Sequence, residues 1–315
     1  MRILFTGGSS FTGSRFIREL AAAGHEVTAV FRRQVGDYSD EVRRRRVALA
    51  AEVCHSVHGC SFGDERFLAL IGEGGWDLLG HHAAEVTNYK SRDFDAVAAL
   101  GNNAHNLPAV LAALGSAGCR RLLLTGSVFE GGEGAGSQGL PDFSPYGLSK
   151  ALSSQLFRFY CDRAGIGLGK FVIPNPFGPY EEPRFTAYLI KTWLAGATAA
   201  CSSPAYVRDN IHVSLLAKAY ARFATEVPTT GLTRINPSGY VESQGAFTLR
   251  MAQEMRPRLG LPCLVELAKQ VDFPEPRVRI NTDPLVADAL GWDESSAWDE
   301  IAHYYQRLHG ALASP

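Results

Sequence analysis

The chain has 315 residues, 46% of them apolar and 20% charged, enough to bury one large or two modest cores and too apolar for a disordered segment. Its 31 basic and 32 acidic side chains leave a net charge of −1, which excludes a general electrostatic pull toward nucleic acid or membrane. Six scattered cysteines with no CxxC pair exclude a disulfide framework and suit free thiols in a reducing compartment.

Arg2 to Phe5 reads as a strand and Thr6 to Gly13 as a glycine and serine turn. Phe16, Ile17, Leu20 and Ala21 then repeat at helical spacing up to Gly24. A strand that opens the chain, and the lack of any apolar run of spanning length, predict a cytoplasmic protein without signal peptide or membrane partner. A strand, tight turn and helix form an anion site, because small residues let the backbone approach and the first helical turn presents N–H groups at a positive dipole end. The ligand this predicts is a dinucleotide. Gly7, Ser9, Ser10, Phe11, Thr12 and Gly13 are its contact candidates, with Ser10 where a GxxGxxG spacing has its middle glycine.

His25 to Phe31 reads as a second strand that ends in Arg32 and Arg33. At that place an acid would bind a ribose 2′-hydroxyl, whereas arginine accommodates a 2′-phosphate, so the pair predicts NADP ahead of NAD. The run Arg43 to Arg46 falls on a helix over Glu41 to Glu52 and reads as a solvated face. A third strand near Val53 to Val57 leads to Ser61 and Phe62. The segment CHSVHGC, residues 54–60, gathers potential ligands but lacks a second pair at zinc spacing, so no metal is expected. A fourth strand, Trp76 to Gly80, runs into His81, His82, Ala83 and Ala84, and one long helical segment then carries Asn102, Asn103, Leu107, Val110, Leu111 and Leu114. The fifth strand, Arg121 to Leu124, continues into Thr125, Gly126 and Ser127. This alternation predicts an α/β fold, a Rossmann-type doubly wound parallel sheet whose ligands bind at the carboxyl ends of the strands.

Glu130 to Phe143 is a glycine-rich loop, and SPYGLSK, residues 144–150, opens the next helix. Tyr146 and Lys150 stand one turn apart on one face. A close ammonium favours the phenolate of a tyrosine, and the Ser127 hydroxyl could hold a substrate oxygen, which makes an acid/base site. A further strand, Gly169 to Ile173, ends in PNPFGPYEEP, where a smaller and less regular C-terminal region begins. It is expected to hold a helix near Ala187 to Leu194, an extended piece near Tyr206 and a helix after His212. The domain expectation is a dinucleotide-binding unit over 1–174, to which 205–235 returns, and a mainly substrate-binding region over 175–315.

The series TGGSSFTG, DLLGHHAA, LLLTGSVFE, PYGLSK, PNPFGP, VRDNIHV and NTDPLVADALGW resembles the extended branch of the short-chain dehydrogenase/reductase superfamily. That branch comprises NAD(P)-dependent nucleotide-sugar epimerases, dehydratases and ketoreductases. The resemblance implies that Tyr146 is the general acid/base, that Lys150 binds the nicotinamide ribose and lowers the tyrosine pKa, and that Ser127 polarises the substrate oxygen, with Thr125 competing for that role. It places Ser61, Phe62, His81, Ala83, Ala84, Asn103 and Pro174 beside the cofactor. Asn175 and Arg208 would contact the substrate, and Glu130, Arg277 and Arg279 are further candidates; arginine suits bidentate phosphate recognition. Dehydratases of the branch carry an Asp-Glu pair directly after the catalytic threonine, where this chain has Gly126 and Ser127, so dehydration is disfavoured. Relatives commonly pair through helices, which implies a homodimer.

The reading is an NADP-preferring reductase of a keto group on a nucleotide-linked sugar, with Tyr146 as proton donor. Two alternatives stand beside it: an epimerase with tightly held NAD working through a transient ketone, and a cofactor-sensing or RNA-binding relative without catalysis. Balanced charge argues against nucleic acid as a partner.

Overall fold

The computed structural model describes residues 1–136 and 139–313, with side chains to Gly310, so Ser137 and Gln138 of the glycine-rich loop lie outside the described residues. The chain opens with β1 (Arg2–Thr6), α1 (Phe11–Ala22) and β2 (Glu26–Phe31), each where apolar spacing puts it. Ser10 ends the turn as the α1 N-cap, its hydroxyl accepting from Gly13 N–H. Asp40 caps α2 (Glu41–Ala51) in the same way, and β3 (His55–His58) follows.

Next come α3 (Glu65–Gly72), a helix that sequence periodicity did not reveal, and β4 (Leu78–His81). The single long helix expected around Asn103 is two helices, α4 (Ala96–Asn103) and α5 (Leu107–Ser116). Asn106, at φ 53°, turns the chain between them, and Pro108 lies in the first turn of α5. A proline without an N–H is tolerated there and not in a helix interior. Then follow β5 (Arg121–Ser127), the short β6 (Ala135–Gly136), α6 (Pro145–Ala164) and β7 (Gly167–Ile173). The C-terminal part contains β8 (Asn175–Phe177), α7 (Phe185–Leu194), β9 (Ala199–Cys201), β10 (Val207–His212) and α8 (Val213–Glu226). After these come β11 (Leu232–Ile235), β12 (Pro237–Ser238), β13 (Tyr240–Ser243) and α9 (Gln244–Leu259). The last elements are β14 (Val265–Leu267), β15 (Val278–Ile280), β16 (Asp283–Pro284) and α10 (Glu294–Ala313).

The chain divides into two units. The first comprises residues 1–133, 140–173 and 217–237, and the second 134–139, 174–216 and 238–315. The return to the first unit, expected over 205–235, thus begins only at Ala217. The cause is β10, whose hydrogen bonds go to β8, β13 and β15 of the second unit.

In the first unit seven parallel strands run in the order β11, β7, β5, β4, β1, β2, β3. Against one face Leu4, Leu79, Leu122, Leu124 and Leu168 meet Phe67 and Ile71 of α3, Leu111 of α5 and Phe157 of α6. A second cluster stacks Phe16 of α1 on Tyr220 of α8 at 4.1 Å between ring centroids, with Phe171 edge-on to both. Each such buried Leu or Phe contributes roughly 1.5–3 kcal/mol, which fixes the strand ends whose loops carry the polar candidates. The second unit has its own core of Phe177, Trp193, Phe247, Met251, Trp298 and Tyr305. All six cysteines are free thiols, and among the described residues no helix is long and apolar enough to cross a membrane.

Candidate active site

The glycine turn is closed to added side chains. Gly7 sits at φ +85°, and a Cβ on it would stand 2.6 Å from Ala83 N; one on Gly13 would stand 2.3 Å from the Gly7 carbonyl. The backbone therefore packs on itself and on the end of β4, and the first-turn N–H groups of α1, which have no acceptor within the helix, stay with the turn. These residues fit a pyrophosphate. Ser10, in the place of the middle glycine, donates to the Gly7 carbonyl at 3.0 Å and accepts from Gly13 N–H at 3.0 Å, so the substitution stiffens the turn.

At the end of β2, Arg32 reaches Glu85 at 3.6 Å, and the Arg33 backbone carbonyl meets His58 Nδ1 at 3.2 Å. Tyr38 lies buried beside this strand end with its hydroxyl bonded to Ser9, and burial raises its pKa. Tyr38 was not legible in the sequence as a neighbour of the turn. The Arg43 to Arg46 run, expected as a solvated face, is corrected at Arg46: it is 2% exposed, with its guanidinium 5.8 Å from the Phe11 ring centroid.

Two adjacent histidines close β4, and they do different things. His81, expected at the cofactor, is a buried strut: Nδ1 meets Thr6 Oγ1 at 3.0 Å, Nε2 meets the Asn103 carbonyl at 3.1 Å, and Phe157 stacks on it at 5.0 Å. Asn103 accepts from Glu85 N–H at 2.7 Å and donates to Ser153 at 3.3 Å, so it ties the loop after β4 to α6. Ser61 donates its N–H to Asp64, the cap of α3. His82, placed at the strand end by the sequence but given no role there, faces Ser10 and Thr12 instead. Its Nε2 lies 3.0 Å from both Ser10 Oγ and Thr12 Oγ1, and its Nδ1 2.9 Å from Thr125 Oγ1. Burial, helped by the nearby Lys150 charge, pushes each ring down to about 3, so both histidines are neutral.

Ser144 caps α6, which puts Pro145 and Tyr146 in its first turn and Lys150 one turn further on. The Tyr146 ring is held edge-on by Tyr89 at 5.4 Å and by Phe94 at 6.0 Å. Lys150 is buried and donates from Nζ to the Thr125 carbonyl at 2.6 Å. Burial lowers its ammonium to about 8, with Glu130 opposing that shift and Lys170 adding to it. Ser127 accepts from Phe129 N–H at 3.2 Å.

Glu130, a substrate candidate in the sequence, is 1% exposed and held within the first unit: Oε1 accepts from Ser127 N–H at 2.7 Å and Oε2 from Lys170 at 2.5 Å. Lys170 also bonds Glu133 at 2.7 Å, and Glu133 accepts from Asn236 at 2.9 Å. This buried charge network was not legible, because its members come from β7, from β11's end and from a loop.

In the second unit, Asn175 donates to the Asp209 carbonyl at 3.1 Å. Arg208 reaches Glu275 at 3.0 Å and the Arg277 carbonyl at 3.2 Å, with its guanidinium 4.4 Å from the Tyr206 ring centroid. Arg277 covers Phe273 at 4.4 Å, while Arg279 and Pro174 are buried.

The sequence profile described as NAD dependent epimerase/dehydratase family matches residues 3–236. Among curated proteins no sequence matches. Solved structures do. UDP-glucuronic acid 4-epimerase from Bacillus cereus, in complex with UDP-glucuronic acid and NAD, is 18% identical over 98% of this chain and 100% of its own, with a TM-score of 0.73. UDP-glucose 4-epimerase of Thermus thermophilus, bound to NAD, is 20% identical over 97% and 99%, with a TM-score of 0.70. A dTDP-glucose 4,6-dehydratase from Streptomyces venezuelae, with NAD and TYD bound, is 20% identical over 99% and 98%, with a TM-score of 0.69. At these identities the likeness shows the shared fold.

Proposed function

The chain belongs to the NAD dependent epimerase/dehydratase family, and from that premise we propose that it is an NADP-preferring reductase of a keto group on a nucleotide-linked sugar. The observation that carries this reading is the run of contacts from the α1 turn through Thr125 to Lys150, with Tyr146 one turn from the amine. When bound, the dinucleotide supplies the hydride.

Gly7, Ser9, Ser10, Phe11, Thr12 and Gly13 would hold its phosphates, and Lys150 the ribose. Tyr146 gives its proton to the carbonyl oxygen as that oxygen gains charge. Its place in the first turn of α6, at the positive dipole end, and the nearby ammonium both favour the phenolate that remains. Ser127 holds the same oxygen by a hydrogen bond. Asn175 and Arg208 are proposed substrate contacts, the arginine for a diphosphate.

Arg32 and Arg33 support NADP, since no acid follows β2 directly and the exposed Arg32 side chain holds Glu85 only at 3.6 Å, a contact loose enough to yield to a phosphate. The neighbours named above carry NAD, which favours the second reading, an epimerase holding NAD and working through a transient ketone. Exposed Val97 on α4 and Leu148 and Phe159 on α6 support a homodimer. The test is a binding titration of NADPH against NADH, followed by turnover on nucleotide-linked 4-keto sugars. Tenfold or stronger NADPH preference with multiple turnovers is expected. NAD released only on denaturation, with no NADPH oxidation, would replace this reading by the epimerase.

A further inference from the structure

His82 meets three hydroxyls at once, and a neutral imidazole has only one N–H and one lone pair to share among them. Ser10 fixes the arrangement. Its hydroxyl proton goes to the Gly7 carbonyl and one lone pair to Gly13 N–H, so toward the ring it can only accept. Nε2 therefore carries the proton, and Nδ1 presents a lone pair to Thr125 Oγ1. The Thr125 hydroxyl must then be the donor in that bond. The same counting holds next door, where His81 Nε2 faces the Asn103 carbonyl, an acceptor only, and Nδ1 faces the Thr6 hydroxyl.

The ring is packed as well as bonded. It stacks on Phe5 at 5.9 Å and stands edge-on to Phe16 at 5.2 Å, while a Cβ on Gly13 would meet its Cδ2 at 2.8 Å. The charged and titratable groups facing it are Lys150 and His81, both of which disfavour an imidazolium, and the Tyr220 phenol beside Thr125, which burial raises and keeps neutral. Ser127, by contrast, accepts from Phe129 N–H through a lone pair, a role that leaves its hydroxyl proton to give.

We propose that His82 is a positioning residue that ties the α1 turn to the Thr125–Lys150 contact and accepts the hydrogen bond of the Thr125 hydroxyl, leaving Ser127 as the hydroxyl that donates to the substrate oxygen. The last clause rests on the proposed function; the tautomer and the tie to the turn do not.

The test begins with the protein labelled with 15N in its histidines, the His82 signals being those lost in His82→Gln or, should that variant not fold, those moved by Thr125→Val. A neutral Nε2–H ring that does not titrate between about pH 5.5 and 8.5 is expected. An Nδ1–H tautomer, or a ring that titrates in that range, overturns the proposal. Titration with NADPH, followed by its fluorescence, should show about tenfold weaker binding to His82→Leu; unchanged affinity overturns the tie. In turnover, Thr125→Val should act mainly on the cofactor KM, whereas Ser127→Ala should lower kcat about a hundredfold. The reverse split returns the substrate hydroxyl to Thr125. A protein that turns over no nucleotide-linked keto sugar defeats the proposed function, and the tautomer and affinity results still decide the role of His82.

Discussion

Lys150 Nζ donates to the Thr125 carbonyl at 2.6 Å, which fixes a buried amine to the end of β5 one helical turn from Tyr146. Because burial depresses this amine from 10.5 to about 8, the ammonium that favours the Tyr146 phenolate is present below pH 8 and lost above it. The kcat profile should fall along an alkaline limb near that pH. In Lys150→Arg, whose charge persists to far higher pH, the limb should move up or vanish; a limb that stays in place assigns it to another group. The unfolded chain binds the extra proton between about pH 8 and 10.5, so the contribution of Lys150 to stability rises with pH across that window.

Tyr146→Phe should lower kcat by about 10²–10⁴-fold while NADPH affinity stays within a few-fold, since only the transferred proton is lost. Retained turnover would remove the tyrosine from the chemistry. Stopped-flow oxidation of NADPH and a binding titration on the same preparation separate the two outcomes.

Cofactor choice is predicted to reside at the end of β2. Replacing Arg32 and Arg33 by serine should weaken NADPH binding by about tenfold or more and leave NADH nearly unchanged, as a charge-assisted contact to a phosphate is worth roughly 1.5–3 kcal/mol. Equal loss for both dinucleotides would mean that the arginines only shape the loop.

Lys170 lies between Glu130 and Glu133 at 2.5 and 2.7 Å. Lys170→Met should destabilise the protein by about 3–5 kcal/mol, because it leaves buried carboxylates without their cation. Adding Glu130→Gln should recover part of that loss. Urea unfolding at pH 7 measures both, and a loss under about 1 kcal/mol would show that Asn236 and Arg234 suffice for Glu133.

Glu181, buried in the second unit, accepts from Thr186 and from Tyr305, and burial raises its carboxyl from 4.5 to about 7. The folded state therefore binds a proton that the unfolded chain has already lost, and the contribution of Glu181 to stability falls as pH rises from 4.5 to 7. Glu181→Gln should flatten that slope and, at pH 8, stabilise by about 1–3 kcal/mol. Thermal unfolding across the same range reads it, and an unchanged slope would point to another buried acid.

Much of the fold was written in local pattern. Strand runs ending in Phe5, Phe31, Gly80 and Leu124, the glycine and serine turn over Thr6 to Gly13 and the Tyr146–Lys150 spacing each rest on residues close together in sequence. Periodicity and capping chemistry report directly on such short spans. The break between α4 and α5 was also written, in Asn106 and Pro108, but an unbroken apolar repeat on either side masked it.

The sequence by itself determined that the chain makes a parallel sheet with a glycine and serine turn after its first strand, and the family profile over residues 3–236 agrees with that fold. Only the tertiary structure decided which polar residues meet. Of two neighbouring histidines His82 reaches Ser10 and Thr12 whereas His81 bonds Thr6 and Asn103; Glu130 belongs to Lys170; Arg46 lies over Phe11. The physical reason is range: helix and strand formation follow the neighbours of each residue, whereas a buried polar group takes whatever partner the packed core brings within hydrogen-bond distance, here from several elements away along the chain.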